Sequence, residues 1–250
     1  MDRENKIVAR VEEVTVAYDE KPVLWDINLD FPKGKMMAIV GPNGAGKTTL
    51  IRTMLGLLKP VTGIINFYKE GEQLNNYYNY VGYVPQSGSV DWDFPATVLD
   101  IVLMGCYGKI GWIKRPKKEQ VAQARDILKK VGMEHFEKRQ ISQLSGGQQQ
   151  RVFLARALMQ KADVYFMDEP FKGVDAQTEK AIVLLLKELK EQGKTVIVVH
   201  HDLHTVRDYF DYVTLINVKI VASGPVETVF TDENLKIAYN SEHSILTKED

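Results

Sequence analysis

Short apolar runs alternate with amphipathic stretches along most of this chain, the pattern of strands crossed by helices over a mainly parallel sheet. "MMAIV" (Met36 to Val40) reads as a buried strand running into "GPNGAGKTT". "TLIRTMLGLL" then predicts a helix that stops near Lys59-Pro60. "VYFM" (Val164 to Met167) and "TVIVV" (Thr195 to Val199) predict two more buried strands, and "AQTEKAIVLLLKELKEQG" between them predicts a helix with Gly193 as its stop. The N-terminal stretch differs. "IVARVEEVTVAY" and "VLWDINLDF" alternate apolar and polar residues, as half-exposed antiparallel strands do.

Residues 87–161 lack strong strand signals and carry the charged helical pattern "KKEQVAQARDILKKVGM". They read as a helical lobe inserted in the α/β core, which leaves 1–86 and 162–222 as that core and 223–250 as a C-terminal extension of short segments and a polar tail. A length of 250 residues suits one such domain. The formal charge of −1 gives no basic footprint for nucleic acid, and the one dense basic cluster, Lys114 to Lys118, reads as a solvated loop before a helix. Cys106 is the single cysteine, so no intrachain disulfide forms and a reducing compartment is the simplest home. The charged N-terminus lacks the apolar region of a secretory signal, and no apolar run approaches the ~18 residues that span a bilayer, so the pattern predicts a soluble chain.

The chemistry begins at Gly41. "GPNGAGKT" (Gly41, Pro42, Asn43, Gly44, Ala45, Gly46, Lys47, Thr48) matches the phosphate-loop pattern and sits between a strand and a helix, where that pattern belongs. Backbone N–H groups must turn inward around phosphate oxygens, which needs Gly44 and Gly46 free of Cβ clashes. The following helix, entered at Lys47, Thr48 and Thr49, offers its N-terminal donors and positive dipole end. Lys47 supplies a charge for the β- and γ-phosphates, and the Thr48 hydroxyl suits Mg²⁺. The loop predicts binding of a nucleoside triphosphate. "VYFMDEP" delivers Asp168 and Glu169 to a strand's C-terminal end, where open α/β sheets bind ligands. Asp168 would hold Mg²⁺ and Glu169 would polarise the attacking water.

"LSGGQQQR" (Leu144 to Arg151) places a Ser-Gly-Gly turn at the mouth of a helix, a second helix end able to bind an anion, followed by glutamines of the kind that face solvent. With the phosphate loop, Gln86 in "YVPQ", "LSGGQ" at 144–148, "VYFMDEP", Asp175 in "FKGVD" and "VHHDL" in this order, the chain resembles the nucleotide-binding subunit of the ATP-binding cassette family over nearly its whole length. The resemblance implies a P-loop NTPase (RecA-like) α/β core with an N-terminal antiparallel β subdomain and an inserted helical subdomain. It implies ATP hydrolysis with Mg²⁺ and a head-to-tail homodimer in which Ser145, Gly146, Gly147 and Gln148 cap the γ-phosphate of ATP held by the other copy. Tyr18 takes the family's adenine-stacking position, Gln86 senses Mg²⁺ and γ-phosphate, Asp175 lies at the dimer seam, and His201, directly before Asp-Leu, contacts the γ-phosphate. His200 and His204 stand four apart, a spacing open to metal ligation on a helix, but read as bystanders.

A lone cassette of this kind resembles the subunits that power separate integral membrane permeases from the cytoplasmic face of the membrane. "DWDFPATVLDIVLMG", "DEPFKGVD" and "VHHDL" are similar to the branch importing manganese first, zinc or iron next, supplied by an extracytoplasmic metal-binding protein. Trp92, Phe94, Tyr107 and Trp112 are candidates for a groove that receives the permease, or else simply pack the helical lobe. Phe171 and Lys172 depart from the small and polar residues many cassettes carry before this Asp. The alternative is a soluble cassette ATPase of translation or DNA repair, which the single cassette and balanced charge argue against.

Overall fold

A computed structural model of the chain describes residues 6–19, 21–86, 95–111 and 113–239, which fall in two compact units, 1–75 with 197–250 and 76–196. The first unit opens with a hairpin of β1 (Ile7–Tyr18) and β2 (Lys21–Pro32), antiparallel and closed where Tyr18 faces Lys21. The alternation of β1 slips at "VEEV": Val11 and Val14, three apart, are both buried, and Glu13 between them has φ 52°. That bulge sits at the register shift between the two valines, so both return to the core face. All of β3 (Met36–Val40) is buried, as its unbroken apolar run predicts.

Helix α1 (Lys47–Met54) ends earlier than the pattern suggests. Gly56 turns left-handed at φ 69°, and the Leu57 N–H donates back to the Arg52 carbonyl at 2.9 Å, so the apolar Leu55, Leu57 and Leu58 follow the helix rather than extend it. The chain then adds β4 (Thr62–Lys69) to the other edge of β1, with the short β5 (Glu72–Gln73) beyond it.

The second unit pairs β6 (Val81–Val84) in parallel with β7 (Val164–Asp168) and holds the helices α2 (Val98–Met104), α3 (Tyr107–Ile110), α4 (Lys118–Lys130), α5 (Gly146–Met159) and α6 (Ala176–Glu191). Burial of Val152, Phe153, Leu154, Ala155 and Ala157 covers consecutive positions, the mark of an interior helix. This corrects the reading of the three glutamines as solvent-facing. Gln149 and Gln150 are buried, and their amides donate to the carbonyls of Ile141 (3.2 Å) and Pro85 (3.4 Å). Helix α6 stops at Gly193, left-handed at φ 78°.

The division between the units falls within β8 (Thr195–Val199), buried throughout. Beyond it, α7 (Val206–Tyr209) leads to β9 (Tyr212–Asn217), which runs parallel to β3, and to β10 (Lys219–Pro225), antiparallel to β9. Asp211 anchors the start of β3: its carboxylate accepts from the Met36 N–H at 3.0 Å and its own N–H donates to the Met36 carbonyl at 2.9 Å. Residues past Ser223 are not featureless. After β10 they form α8 (Val226–Val229) and α9 (Asp232–Tyr239), and Phe230 between them receives the Arg207 guanidinium on its carbonyl at 2.6 Å.

Candidate functional site

In the first unit, β3 delivers the chain to Gly41 and α1 takes it up at Lys47, so the loop is spanned by residues with little side chain. Gly44 has φ 80° and open space around it, so its requirement is conformational. Gly46 has φ 91° and is crowded as well: a Cβ there would stand 2.5 Å from Leu24 Cδ2 and 2.7 Å from the Val23 carbonyl. Lys47 is 6% exposed, and its Nζ donates to the carbonyls of Gly41 and Pro42, each at 2.7 Å. A buried ammonium is tolerable only with such partners, and these hold its charge inside the loop. Helix α1 has Gly46 as N-cap and no side-chain cap, whereas Thr97, Ser145 and Asp175 cap α2, α5 and α6 with their own oxygens. Two left-handed glycines, an inward ammonium and a helix start without a side-chain acceptor fit an oxyanion of the size of phosphate. Pro42 and Thr48 are half-buried, Asn43 exposed, Ala45 and Thr49 buried, and Tyr18 lies about half exposed at the end of β1.

In the second unit, β7 ends in Asp168, 1% exposed, and the next residue breaks the strand by adopting φ 51°. That residue is Glu169, and a left-handed non-glycine at such a point costs on the order of 1 kcal/mol. Its Oε2 accepts from Gln86 Nε2 and from Lys172 Nζ, both at 2.8 Å, with the glutamate side chain 12% exposed. The unit therefore brings Gln86 and Glu169 into contact and adds Lys172, which sequence reasoning singled out as a departure without assigning it a role. Gln150, bonded to the Pro85 carbonyl, fixes the backbone just before Gln86.

Ser145 and Gln148 close a reciprocal box at the start of α5. The Ser145 N–H donates to Gln148 Oε1 at 3.0 Å and the Gln148 N–H to Ser145 Oγ at 3.4 Å. Gly146 has space around it, but a Cβ on Gly147 would stand 2.6 Å from the Gly173 carbonyl, so one glycine of the pair answers to packing. Asp175 caps α6, accepting from the N–H groups of Gln177 (3.0 Å) and Thr178 (2.9 Å) and from Thr178 Oγ1 (2.7 Å). The bonds from Thr178, hydroxyl first, hold its carboxyl below the usual range.

His201 is exposed, following a buried neighbour. The ring of His200 shares a 2.7 Å hydrogen bond with Thr205 Oγ1 and lies 5.2 Å from the ring centre of Phe210. Desolvation pushes its pKa down to about 4, Asp202 opposing and His201 reinforcing. His204 is exposed, with its N–H on Asp202 Oδ1 at 2.9 Å in a turn that precedes α7, so no helix puts His200 and His204 on one face. Among the described residues no group of three or more His, Cys, Asp or Glu is arranged to hold a metal ion, and no helix is long and apolar enough to cross a membrane. Tyr107 is half-buried at the start of α3, while Trp92, Phe94 and Trp112 lie outside the described residues.

Residues 24–172 match the family model described as ABC transporter. The manganese transport system ATP-binding protein MntB of Bacillus subtilis (strain 168) is 60% identical over 94% of this chain and 94% of its own length. The zinc transport system ATP-binding protein TroB of Treponema pallidum (strain Nichols) is 56% identical over 92% of this chain and 86% of its own. Among solved structures, a chain of a metal-chelate type ABC transporter in an inward-facing conformation superposes with a TM-score of 0.79 at 30% identity, covering 94% of this chain and 88% of that one. A dimeric bacterial ABC transporter cassette gives 0.76 at 28%, covering 87% and 98%. These neighbours share the mixed α/β fold of two sheets and helices, the P-loop NTPase fold of ABC ATPases.

The buried His200 sets a pH dependence of stability. Its folded pKa lies below the ordinary value of 6.5, so between those values the unfolded chain holds the extra proton. The contribution is complete above pH ~6.5 and is lost as pH falls toward 4, by up to about 3 kcal/mol. Urea unfolding at about pH 7 and about pH 4.5 should show His200→Gln losing less stability over that interval than the wild-type chain.

Proposed function

The chain belongs to the ABC transporter family and is an ATP-binding ATPase subunit of it, and from that premise we propose that it drives uptake of a transition metal ion, manganese first and zinc or iron next, through a separate membrane permease. The observation that carries the metal is the 60% identity, over 94% of both chains, with a protein named for manganese transport; the 56% identity with one named for zinc keeps zinc second. Both names favour transport over a soluble role in translation or DNA repair. The transported ion is cargo of the permease, so no residue of this chain need touch it. The subunit works at the cytoplasmic face of the membrane, as a homodimer, and an extracytoplasmic binding protein delivers the metal from the other side.

In this reading residues 41–48 hold the triphosphate of ATP, with Lys47 turning its charge from the loop carbonyls to the β- and γ-phosphates, and Tyr18 stacks on the adenine. Thr48, Gln86 and Asp168 offer a hydroxyl, an amide oxygen and a buried carboxylate, the hard oxygen donors that suit Mg²⁺. The ion, when bound, neutralises charge developing on the phosphate oxygens. Glu169 takes a proton from the attacking water, and Gln86 and Lys172 hold its carboxylate in one orientation through the bonds described above. His201 contacts the γ-phosphate and Asp175 stands at the dimer seam. Ser145 to Gln148 cap the nucleotide of the second copy, and since ATP then contacts both copies only when they close, its binding favours closure and loss of the γ-phosphate reverses it.

Glu169→Gln should keep ATP affinity, lower turnover by about 10²–10⁴ and accumulate an ATP-loaded dimer on size exclusion. Wild-type turnover in that variant would remove Glu169 as the base. For the cargo, ATPase activity of the subunit reconstituted with its permease should rise when a manganese-loaded binding protein is titrated in, and less with the zinc-loaded form. A flat response from an active ATPase would leave the hydrolysis standing and end the metal assignment.

A further inference from the structure

The phosphate loop is held from outside by a part of the chain that lies more than 160 residues away in sequence, with Val218 facing Ala45. Within the loop, the Ala45 N–H donates to the Pro42 carbonyl at 3.2 Å, and Gly44 and Ala45 have no polar side chain with which to fix the rest. The turn between β9 and β10 supplies what is missing. The Val218 N–H donates to the Ala45 carbonyl at 3.2 Å, and the Val218 carbonyl accepts from the Trp25 N–H of β2 at 2.8 Å. Gly41 packs directly on the Ile216 carbonyl, so closely that a Cβ at 41 would collide with it. Val218 makes these bonds at φ 60°, a left-handed conformation that a β-branched residue adopts only when its surroundings impose it.

The same turn is tied to the C-terminal helix. Asn217 Nδ2 donates to the Ala238 carbonyl in the last turn of α9 at 2.9 Å, with Ala238 wholly buried. The next residue, Tyr239, closes α9, and partial burial raises its phenol's pKa, with the Gly41 backbone opposing that shift. Gly41 thus rests on Ile216, and Asn217, the next residue along, ties the same turn to α9. None of Ile216, Asn217 and Val218 belongs to a nucleotide-binding motif of the sequence.

We propose that the β9–β10 turn, braced by the end of α9, forms a strut that sets the phosphate loop in its binding conformation before nucleotide arrives, with Asn217 as the positioning residue. The inference rests on the reading of residues 41–48 as the ATP site. A loop that must hold two left-handed glycines in place loses affinity by whatever ordering it has to undergo on binding, and external hydrogen bonds reduce that loss.

The test uses the full chain with Mg²⁺-ATP as the probe. In Asn217→Leu, which keeps the bulk but not the donor, and in Asn217→Ala, Kd should rise by about 3- to 10-fold, the effect of one hydrogen bond on a preorganised site. In nucleotide-free protein, amide exchange across residues 41–46 should accelerate in both variants, a change that a merely structural role in the tail would not produce. Unchanged Kd and unchanged loop exchange in both variants overturn the strut, even where thermal melting falls. Lys47→Ala separates the two readings. If the wild-type chain binds no Mg²⁺-ATP, or Lys47→Ala binds it equally well, the nucleotide assignment fails, while the exchange measurement still decides whether the turn and α9 hold the loop.

Discussion

A loop that wraps phosphate oxygens with its own amides can carry almost no side chains, and this constraint runs through the whole first unit. Gly44 and Gly46 take conformations that leave nothing of their own to pack, so the shape of residues 41–48 has to be imposed by neighbours. Strand β3 fixes one end, itself pinned to β9 through Asp211. Helix α1 fixes the other, and Leu24 of β2 crowds Gly46 from the side. The ammonium of Lys47, bonded to the two carbonyls at the loop's mouth, closes it from within. The antiparallel hairpin, the parallel pair β3 and β9, and the C-terminal helices are in this sense one scaffold for eight residues.

The second unit solves a different problem, that of keeping an acid aimed. The break after β7 puts Glu169 in a strained backbone conformation, and two donors from different segments share the oxygen Oε2. Strain of that kind persists where surrounding contacts over-determine it, and here they do. Gln86 is in turn set by Pro85, whose carbonyl receives the amide of the buried Gln150 from α5. The helix that begins with the Ser-Gly-Gly turn therefore supports the glutamate's partner through its buried Gln150.

Much of this was legible in the sequence, for physical reasons. The buried strands β3, β7 and β8 are short unbroken apolar runs, and α4 and α6 carry helical periodicity with glycine stops, so their residues declare them. The loop, Gln86, Asp168, Glu169 and Ser145 to Gln148 stood out because their residue types are chemically demanding at fixed spacing. What stayed hidden depends on contacts between distant segments. No pattern marks Gln149 and Gln150 as buried, since their burial rests on meeting the carbonyls of Ile141 and Pro85. The early end of α1 lay in Gly56, embedded in a leucine-rich run that reads as helix. Asn217 and Val218 sit in a segment without any motif, and only the folded chain brings them to Ala238 and Ala45.

Gly147 complicates how loss-of-function variants of this protein should be interpreted. Its backbone touches the Gly173 carbonyl, in the short segment that joins Glu169 and Lys172 to Asp175. A side chain introduced at 147 would have to push that segment aside, and the displacement would be felt at the carboxylate a few residues upstream. Such a variant could fail in turnover although the new atoms never met a nucleotide. A kinetic defect at this glycine is thus poor evidence of nucleotide contact, whereas one at Gly146, which has room for a methyl group, would speak to it directly.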